Sequence, residues 1–234
     1  MKSLAYTPLE RLYVRRPVRR TQFITERCRA RVVLDLGCGD ETALIKHGTP
    51  HWLHGQIIKV AKRVIGVDYS KQVPPEGEIT GPNSRIEHGD VTRLEEVIRD
   101  ADIEVVVAGE LLEHLQDPLA FLCQLRRLYS GRELVLTTPN ATSLSNVVLA
   151  VASRESNHHD HLQIFSVKTL NTLCLRAGFQ DWEIIPYHVY FTEMLLRSTG
   201  LRRFLVGISE NLVNLAEGLF PVLSGGLILH IKAM

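Results

Sequence analysis

The feature that most constrains the fold is an alternation. Short apolar runs rich in β-branched residues recur between longer stretches with helical period, the pattern of a parallel sheet covered by helices. The runs at 31–36, 64–67, 85–87, 103–108 and 133–137 suit strands buried on both faces. Thr49-Pro50 predicts the N-cap and first turn of a helix over 51–62, and Asp117-Pro118 predicts one reaching about Tyr129 and closed by Gly131. A third helix is expected over 166–177, ended by Gly178, followed by a strand over 181–187. Residues 71–84, with Pro74, Pro75, Gly77, Gly81 and Pro82, read as a loop. Leu201, Phe204, Leu205, Ile208, Leu212, Leu215, Ala216 and Leu219 then recur at spacings of three and four, which predicts an amphipathic helix. Gly225 and Gly226 separate it from 227–231, expected as an edge strand. With no internal repeat and no linker, the reading is a single domain over 1–234, carrying a basic helical segment at 1–30 and a helical insertion at 189–226.

Charge and cysteine usage narrow the class. Across 234 residues, 27 Lys and Arg face 26 Asp and Glu, so the chain lacks the whole-molecule field that nucleic-acid binders carry. The N-terminal stretch is nevertheless basic, either as the solvated face of a terminal helix or as a contact for an anionic partner. Cys28, Cys38, Cys123 and Cys174 form no C-x-x-C pair and no metal-finger spacing, which fits a reduced, cytoplasmic chain. The N-terminal charges are not followed by an apolar segment, and no run of about 18 apolar residues occurs. The expectation is a protein neither secreted nor membrane-spanning.

Directly after the first strand stands Asp35-Leu36-Gly37-Cys38-Gly39-Asp40, a tight glycine turn at the carboxyl end of a parallel strand, where open α/β sheets bind ligands. A side chain at either glycine would hold a cofactor away from the backbone. Asp68, closing Val64-Ile65-Gly66-Val67-Asp68, can accept both hydroxyls of an unphosphorylated ribose. Asp90, in Gly89-Asp90-Val91 after the third strand, can accept from an adenine amino group. Three acidic positions thus fall at three successive strand ends.

Taken in order, VLDLGCGDE, VIGVDYS, IEHGDV, GELLEHLQDPLAFL, LVLTTPN and LCLRAGF resemble the class I S-adenosylmethionine-dependent methyltransferases over roughly residues 32–179. Within that family the chain is similar to the branch of ubiquinone-type small-molecule O-methyltransferases. The resemblance implies an α/β fold with a seven-stranded, mostly parallel Rossmann-like sheet. Its last two strands would form an antiparallel hairpin, with the helical insertion before the last strand. It implies S-adenosylmethionine as cofactor, with Gly37, Cys38 and Gly39 along the methionine portion, Asp68 on the ribose and Asp90 on the adenine. Asp35, Tyr69, Val91 and Glu110 complete the implied cofactor set. The chain departs from the family pattern in having Glu41 where a third glycine is usual, a Pro/Gly-rich 71–84 in place of a helix, and about 38 residues interrupting the hairpin, far beyond an ordinary hairpin loop.

Methyl transfer from a sulfonium is an in-line displacement, so the protein's task is to hold the acceptor atom and strip its proton. Glu110-Leu111-Leu112-Glu113-His114 follows the fourth strand, and Asn157-His158-His159-Asp160-His161 lies beyond the fifth. Three readings stand. His114 or His161 is a general base, as an unperturbed pKa near ~6.5 permits. Or Glu110, Glu113, His114 and His161 hold a divalent metal that polarises an acceptor hydroxyl. Or Glu110 orients the cofactor, Glu113 is a helix-start carboxylate and the histidine run is a polar loop. E-x-x-E-H is similar to the metal-binding motif of some ubiquinone-pathway methyltransferases and, with the later D-H, to that of small-RNA terminal 2′-O-methyltransferases. The expected acceptor is a small or lipid-like molecule with a hydroxyl group. RNA is the alternative partner, and a catalytically inactive scaffold the non-enzyme alternative. Arg19 or Arg20 could hold the cofactor's carboxylate. The oligomeric state is not legible.

Overall fold

The computed structural model describes residues 4–39, 46, 48–98 and 102–234, which leaves Asp40 and Glu41 outside the described residues. Eight strands form one mixed sheet: β1 Val32–Leu36, β2 Arg63–Asp68, β3 Glu78–Gly81, β4 Ser84–His88, β5 Val105–Gly109, β6 Glu133–Pro139, β7 Glu183–Tyr187 and β8 Gly226–Ile231. Their order is β3-β4-β2-β1-β5-β6-β8-β7. The five strands β4, β2, β1, β5 and β6 run parallel, β8 is antiparallel to both β6 and β7, and β3 is antiparallel to β4. The expected antiparallel hairpin is therefore present, on a sheet one strand larger than expected.

The strand period of two divides the core into two layers. Leu34, Leu36, Val106, Ala108, Leu134 and Leu136 face the helices Pro118–Leu128 and Val167–Ala177, while Val33, Val105, Val107 and Val135 face the helices Arg20–Cys28 and Leu53–Ile58. The caps are local. The Asp117 carboxylate accepts from the Ala120 amide at 2.9 Å, Ser166 and Thr169 form a capping box, and Gly178 ends its helix at φ 79°.

Four expectations are corrected. Residues 71–84 are not loop throughout, because β3 lies inside them and pairs with β4. Residues 227–231 are not at the edge: β8 is buried along its whole length between β6 and β7, and β7 is the outer strand. Pro186 is the physical marker, since a residue without an N–H is tolerated on an edge strand. That edge is partly covered by Val18, whose amide donates to the Pro186 carbonyl at 3.0 Å and whose carbonyl accepts from the His188 amide at 3.1 Å. Among its described residues the N-terminal segment is helical only over Arg20–Cys28. The helix expected from Thr49-Pro50 begins later, at Leu53, and the Thr49 hydroxyl donates to the Lys46 carbonyl. The insertion is helical as expected, with helices Thr192–Leu196 and Gly200–Leu219 and a short 3-10 turn at Pro221–Leu223.

Much of the basic N-terminal charge is paired within the fold. Arg15 bonds Glu183 at 3.0 Å, and Arg27 and Arg31 converge on Glu133, which also accepts from His230 at 2.7 Å. Burial alone would raise the Glu133 pKa, but hydrogen bonds from His230 and Arg31 and their charges outweigh it and hold the group below its ordinary 4.5. The stability this carboxylate contributes is present above that value and is lost as pH falls through its lower folded pKa. Glu133→Gln should therefore lower the unfolding free energy by about 1–3 kcal/mol at neutral pH. The gap between variant and wild type should narrow below pH 4.5, as read from urea midpoints; a gap independent of pH would contradict this account.

Candidate functional site

The sheet order reverses at β1, between β2 and β5, so the crevice beyond their carboxyl ends is where an α/β fold places its ligand. The turn after β1 closes on the end of β2. The Gly39 amide donates to Asp68 Oδ2 at 2.8 Å, and the Ser70 amide to Asp68 Oδ1 at 2.7 Å. A Cβ on Gly39 would lie 2.8 Å from the Asp68 carboxyl carbon, and Gly37 sits at φ 69°, so neither position accepts a side chain without strain. Asp90 caps the 3-10 turn Val91–Arg93, its Oδ1 accepting from the amide and hydroxyl of Thr92 at 2.8 Å each. Asp90 and Tyr69 are exposed, whereas Val91 and Cys38 are buried. Burial, then the carboxylates of Asp35 and Asp68, push the Cys38 thiol well above its ordinary pKa, so it stays protonated.

Asp35 turns away from this surface. As an alternate residue of β1 it faces the Leu53–Ile58 helix, and its Oδ2 lies 2.7 Å from His54 Nδ1. His54 Nε2 lies 3.1 Å from the hydroxyls of both Thr80 on β3 and Ser84 on β4. Asp35 and His54 are 2% and 1% exposed, so this chain ties β1, β3, β4 and a helix together behind the glycine turn.

At the end of β5, Glu110 adopts φ 55°, unusual for a side-chain-bearing residue and of the kind found at functional sites. Its Oε1 accepts from the Tyr187 hydroxyl at 2.7 Å and from the Thr137 hydroxyl at 2.9 Å, and Arg20 lies 4.0 Å away. Burial would lower the Arg20 pKa, but Glu110, with Tyr187, Glu113 and Asp35, reverses this and raises it. Burial and then Glu110 push the Tyr187 hydroxyl well above its ordinary value, so it remains a donor.

Glu113, His114 and His161 come together, with one ligand-type atom from each lying within 4.8 Å of the others. The backbone explains how: the Leu162 amide donates to the Glu113 carbonyl at 2.9 Å, folding the loop after β6 back over the Leu112–His114 turn. The rings of His114 and His161 cross edge to face at 4.7 Å, and His158 stands 5.8 Å from His161. Glu113 is fully buried. Its Oε2 accepts from Thr138 at 3.0 Å, and its Oε1 has no partner among the described residues. Burial, then repulsion from Glu110, push its pKa up to about 8. Burial, followed by the neighbouring His114 and His158, lowers that of His161, which favours its neutral, lone-pair-bearing form. Glu110 stands apart from this trio, its carboxylate engaged by Tyr187, Thr137 and Arg20.

A cleft of about 740 Å³ opens on the Glu110 side, with Arg19, Arg20, Glu110, Tyr187, Tyr190 and Phe191 in its wall; Glu113, His114 and His161 are not among its lining residues. A smaller depression of about 440 Å³ between Phe165 and Arg176 contains none of the candidate residues. Tyr187, Thr137, Thr138 and His54 escape sequence reasoning. For the first three, position at a strand end is the available signal; for His54 there is none.

Comparison with known proteins bears on this geometry. Residues 10–184 match a family described as a methyltransferase domain. A protein of Mycolicibacterium smegmatis named "Probable S-adenosylmethionine-dependent methyltransferase" is 33% identical over 125 residues, 53% of this chain and 44% of its own length. Among solved structures, an S-adenosylmethionine-dependent methyltransferase from Archaeoglobus fulgidus superposes at TM-score 0.50 with 18% identity, covering 90% of this chain and 94% of its own. The small RNA methyltransferase HEN1 superposes at 0.54 with 15% identity, covering 92% of this chain and 25% of its own. At these identities the structures speak to the fold alone. The chain spans about half the length of the curated relatives it matches.

The Asp35–His54 pair makes a prediction of its own. His54→Leu leaves a buried carboxylate without its partner and should cost about 2–4 kcal/mol of unfolding free energy. Thr80→Ala should cost about 1 kcal/mol or less, because Ser84 still serves His54 Nε2. Chemical denaturation checks both, and equal costs would show that the pair is not the anchor.

Proposed function

We propose that this chain, which belongs to the methyltransferase-domain family, transfers the sulfonium methyl group of S-adenosylmethionine to a hydroxyl oxygen of a small or lipid-like acceptor. The observation that carries the reading is the join between the glycine turn and Asp68, a backbone cradle with a carboxylate at its rim. Gly37, Cys38 and Gly39 would lie along the methionine portion, Asp68 and Tyr69 at the ribose, and Asp90 and Val91 at the adenine. Asp68 spends one lone pair of each oxygen on an amide, which leaves capacity for two ribose hydroxyls. Asp35 would support the turn from behind through His54 instead of touching cofactor. Glu110, held by Tyr187, Thr137 and Arg20, would orient the cofactor's amino-acid end, with Arg19 or Arg20 near its carboxylate.

In the reaction the bond between sulfur and methyl carbon breaks as the acceptor oxygen bonds that carbon. The cofactor leaves as S-adenosylhomocysteine and the acceptor's proton passes to a base. His161 suits that role through its lowered pKa, with His114 beside it. A second reading is favoured by the buried Glu113 carboxylate, whose Oε1 has no partner among the described residues, lying with two imidazoles: Glu113, His114 and His161 would hold a divalent cation. Such an ion would polarise the acceptor hydroxyl. For Glu110 to join as a fourth ligand it would have to leave Tyr187 and Thr137. An RNA acceptor finds less support, because Arg15, Arg20, Arg27 and Arg31 of the basic N-terminal segment are paired internally.

Asp68→Ala should weaken S-adenosylhomocysteine binding by about tenfold or more in calorimetry, the loss of a charged hydrogen-bond partner. An unchanged affinity would remove Asp68 from the cofactor site. With an acceptor in hand, the general-base reading expects turnover indifferent to chelator and rising with pH through a histidine-like pKa, abolished by His161→Ala. Loss of turnover on chelation with cofactor affinity retained would assign the trio to a metal. A rate unaffected by chelator, His114→Ala and His161→Ala would leave positioning alone as the catalytic device.

A further inference from the structure

The cleft of about 740 Å³ falls within the size range of small-ligand sites, and its two walls differ in origin and in chemistry. One wall is the start of the Arg20–Cys28 helix, with Arg19, Arg20 and Gln22. The other is the chain leaving β7, residues 189–194, which belongs to the stretch that interrupts the final hairpin. This second wall is largely apolar: Tyr190 and Met194 are 40 and 48% exposed beside the half-buried Phe191. Glu217 and Glu210 hold it in place through the amides of Val189 and Phe191, at 3.2 and 2.6 Å. The Thr192 hydroxyl, 3.4 Å from His51 Nδ1, brings it against the chain that precedes the Leu53–Ile58 helix.

The cations of the first wall are not equivalent. Arg20 is committed: it lies 4.0 Å from Glu110, and its Nε donates to the Thr137 hydroxyl at 3.0 Å. Arg15, Arg27 and Arg31 pair with Glu183 and Glu133, whereas the exposed Arg19 has no ion pair among the described residues. Burial raises the Tyr190 hydroxyl above its ordinary pKa, and the Arg19 cation is the largest influence opposing that rise, which places Arg19 near the aromatic wall. Two carboxylates line the cleft, Glu110 and the exposed Glu193, and the first is already taken by Tyr187, Thr137 and Arg20. The cations Arg19, Arg20 and Lys46 outnumber them.

We propose that the part of this cleft between Arg19 and Tyr190 selects acceptors carrying an anionic group, a carboxylate or a phosphate, on a flat apolar body, and that Arg19 sets this preference. On the methyl-transfer reading above, on which this rests, Arg20 with Glu110 serves the cofactor's amino-acid end and Arg19 serves the acceptor. A guanidinium presents parallel N–H donors that match carboxylate and phosphate oxygens, and an aromatic wall gives a ring rigid contact area at low entropic cost. A cationic acceptor would be repelled by the excess of positive charge, and a neutral one would gain nothing from Arg19. The apolar wall comes from the segment in which this chain departs from the family pattern, so the preference is a property of the insertion and not of the cofactor cradle.

The test is fluorescence anisotropy of three probes, hydroxynaphthoate, its neutral amide and naphthyl phosphate, with the full chain saturated with S-adenosylhomocysteine at low ionic strength. At least one of the two anions should bind about fivefold or more tightly than the amide, and their ratio shows whether the site prefers carboxylate or phosphate. Arg19→Gln should raise the dissociation constant of the preferred anion by about fivefold and leave that of the amide in place, whereas Tyr190→Ala should weaken anion and amide alike. Anions and amide binding equally, no binding of any probe, or a preference that survives Arg19→Gln overturns the proposal. A matching loss of S-adenosylhomocysteine affinity in Arg19→Gln, read by calorimetry, also overturns it by giving Arg19 to the cofactor's carboxylate. If wild type binds no S-adenosylhomocysteine, the methyl-transfer reading falls by itself, and an Arg19-dependent anion preference measured without it upholds the anion site.

Discussion

The 2.8 Å bond from the Gly39 amide to Asp68 sets the spacing between the turn after β1 and the end of β2, and the shape of the crevice beyond these strand ends depends on that spacing. It forms only because position 39 has no Cβ; the carboxyl carbon occupies the place a side chain would need. A buried carboxylate with two amide donors is also a carboxylate already desolvated and oriented, which on the proposed reading would lower the cost of receiving a ribose diol. The Asp35–His54 pair behind the turn acts in the same direction. It couples β1 through imidazole to hydroxyls on β3 and β4, so the extra edge strand is part of what stiffens the floor of the site.

The rim is governed by a different balance. Glu110 and Glu113 stand close enough to repel, and each is compensated on its own side: Glu110 by Tyr187, Thr137 and Arg20, Glu113 by Thr138 and by a raised pKa. Glu110, at φ 55°, has its carboxylate engaged by Tyr187, Thr137 and Arg20, while Glu113 lies beside the two histidines. One acidic motif in sequence thereby becomes two chemical environments in space, an anchored carboxylate facing the cleft and a buried one facing two imidazoles.

The parallel strands and the glycine turn were legible because period, apolar runs and glycine placement are local properties. Their residues face the two core layers as the alternation of two requires. The trio Glu113, His114 and His161 was legible as residue types at two strand ends, although its closure depends on the Leu162 amide reaching the Glu113 carbonyl. What escaped was non-local. β3 spans only four residues inside a stretch of prolines and glycines, and shows itself only by pairing. The basic run of the N-terminal segment read as a solvated helix face or a contact for anions, because its partners Glu183, Glu104, Glu110 and Glu133 lie far along the chain. Pro186 could have marked the sheet edge from sequence alone, since a missing N–H is tolerated there and not between two strands.

The insertion shows how one local choice propagates. Leaving β7, the chain must satisfy the amides of Val189 and Phe191 at the cleft wall, and it does so with Glu217 and Glu210 from a single helix. Burial raises the Glu217 pKa, against the lowering hydrogen bonds from His188 and Val189, so the group is retained at an electrostatic cost. Because that helix spends its polar side on the wall, its apolar side must face outward; an amphipathic helix with one packed face has no other arrangement. The helix that backs the cleft wall, through the amides of Val189 and Phe191, thus carries the exposed stripe on its other side. Whatever covers the stripe also restrains the helix that supplies Glu210 and Glu217, which links burial on the outside of the molecule to the shape of the cleft within.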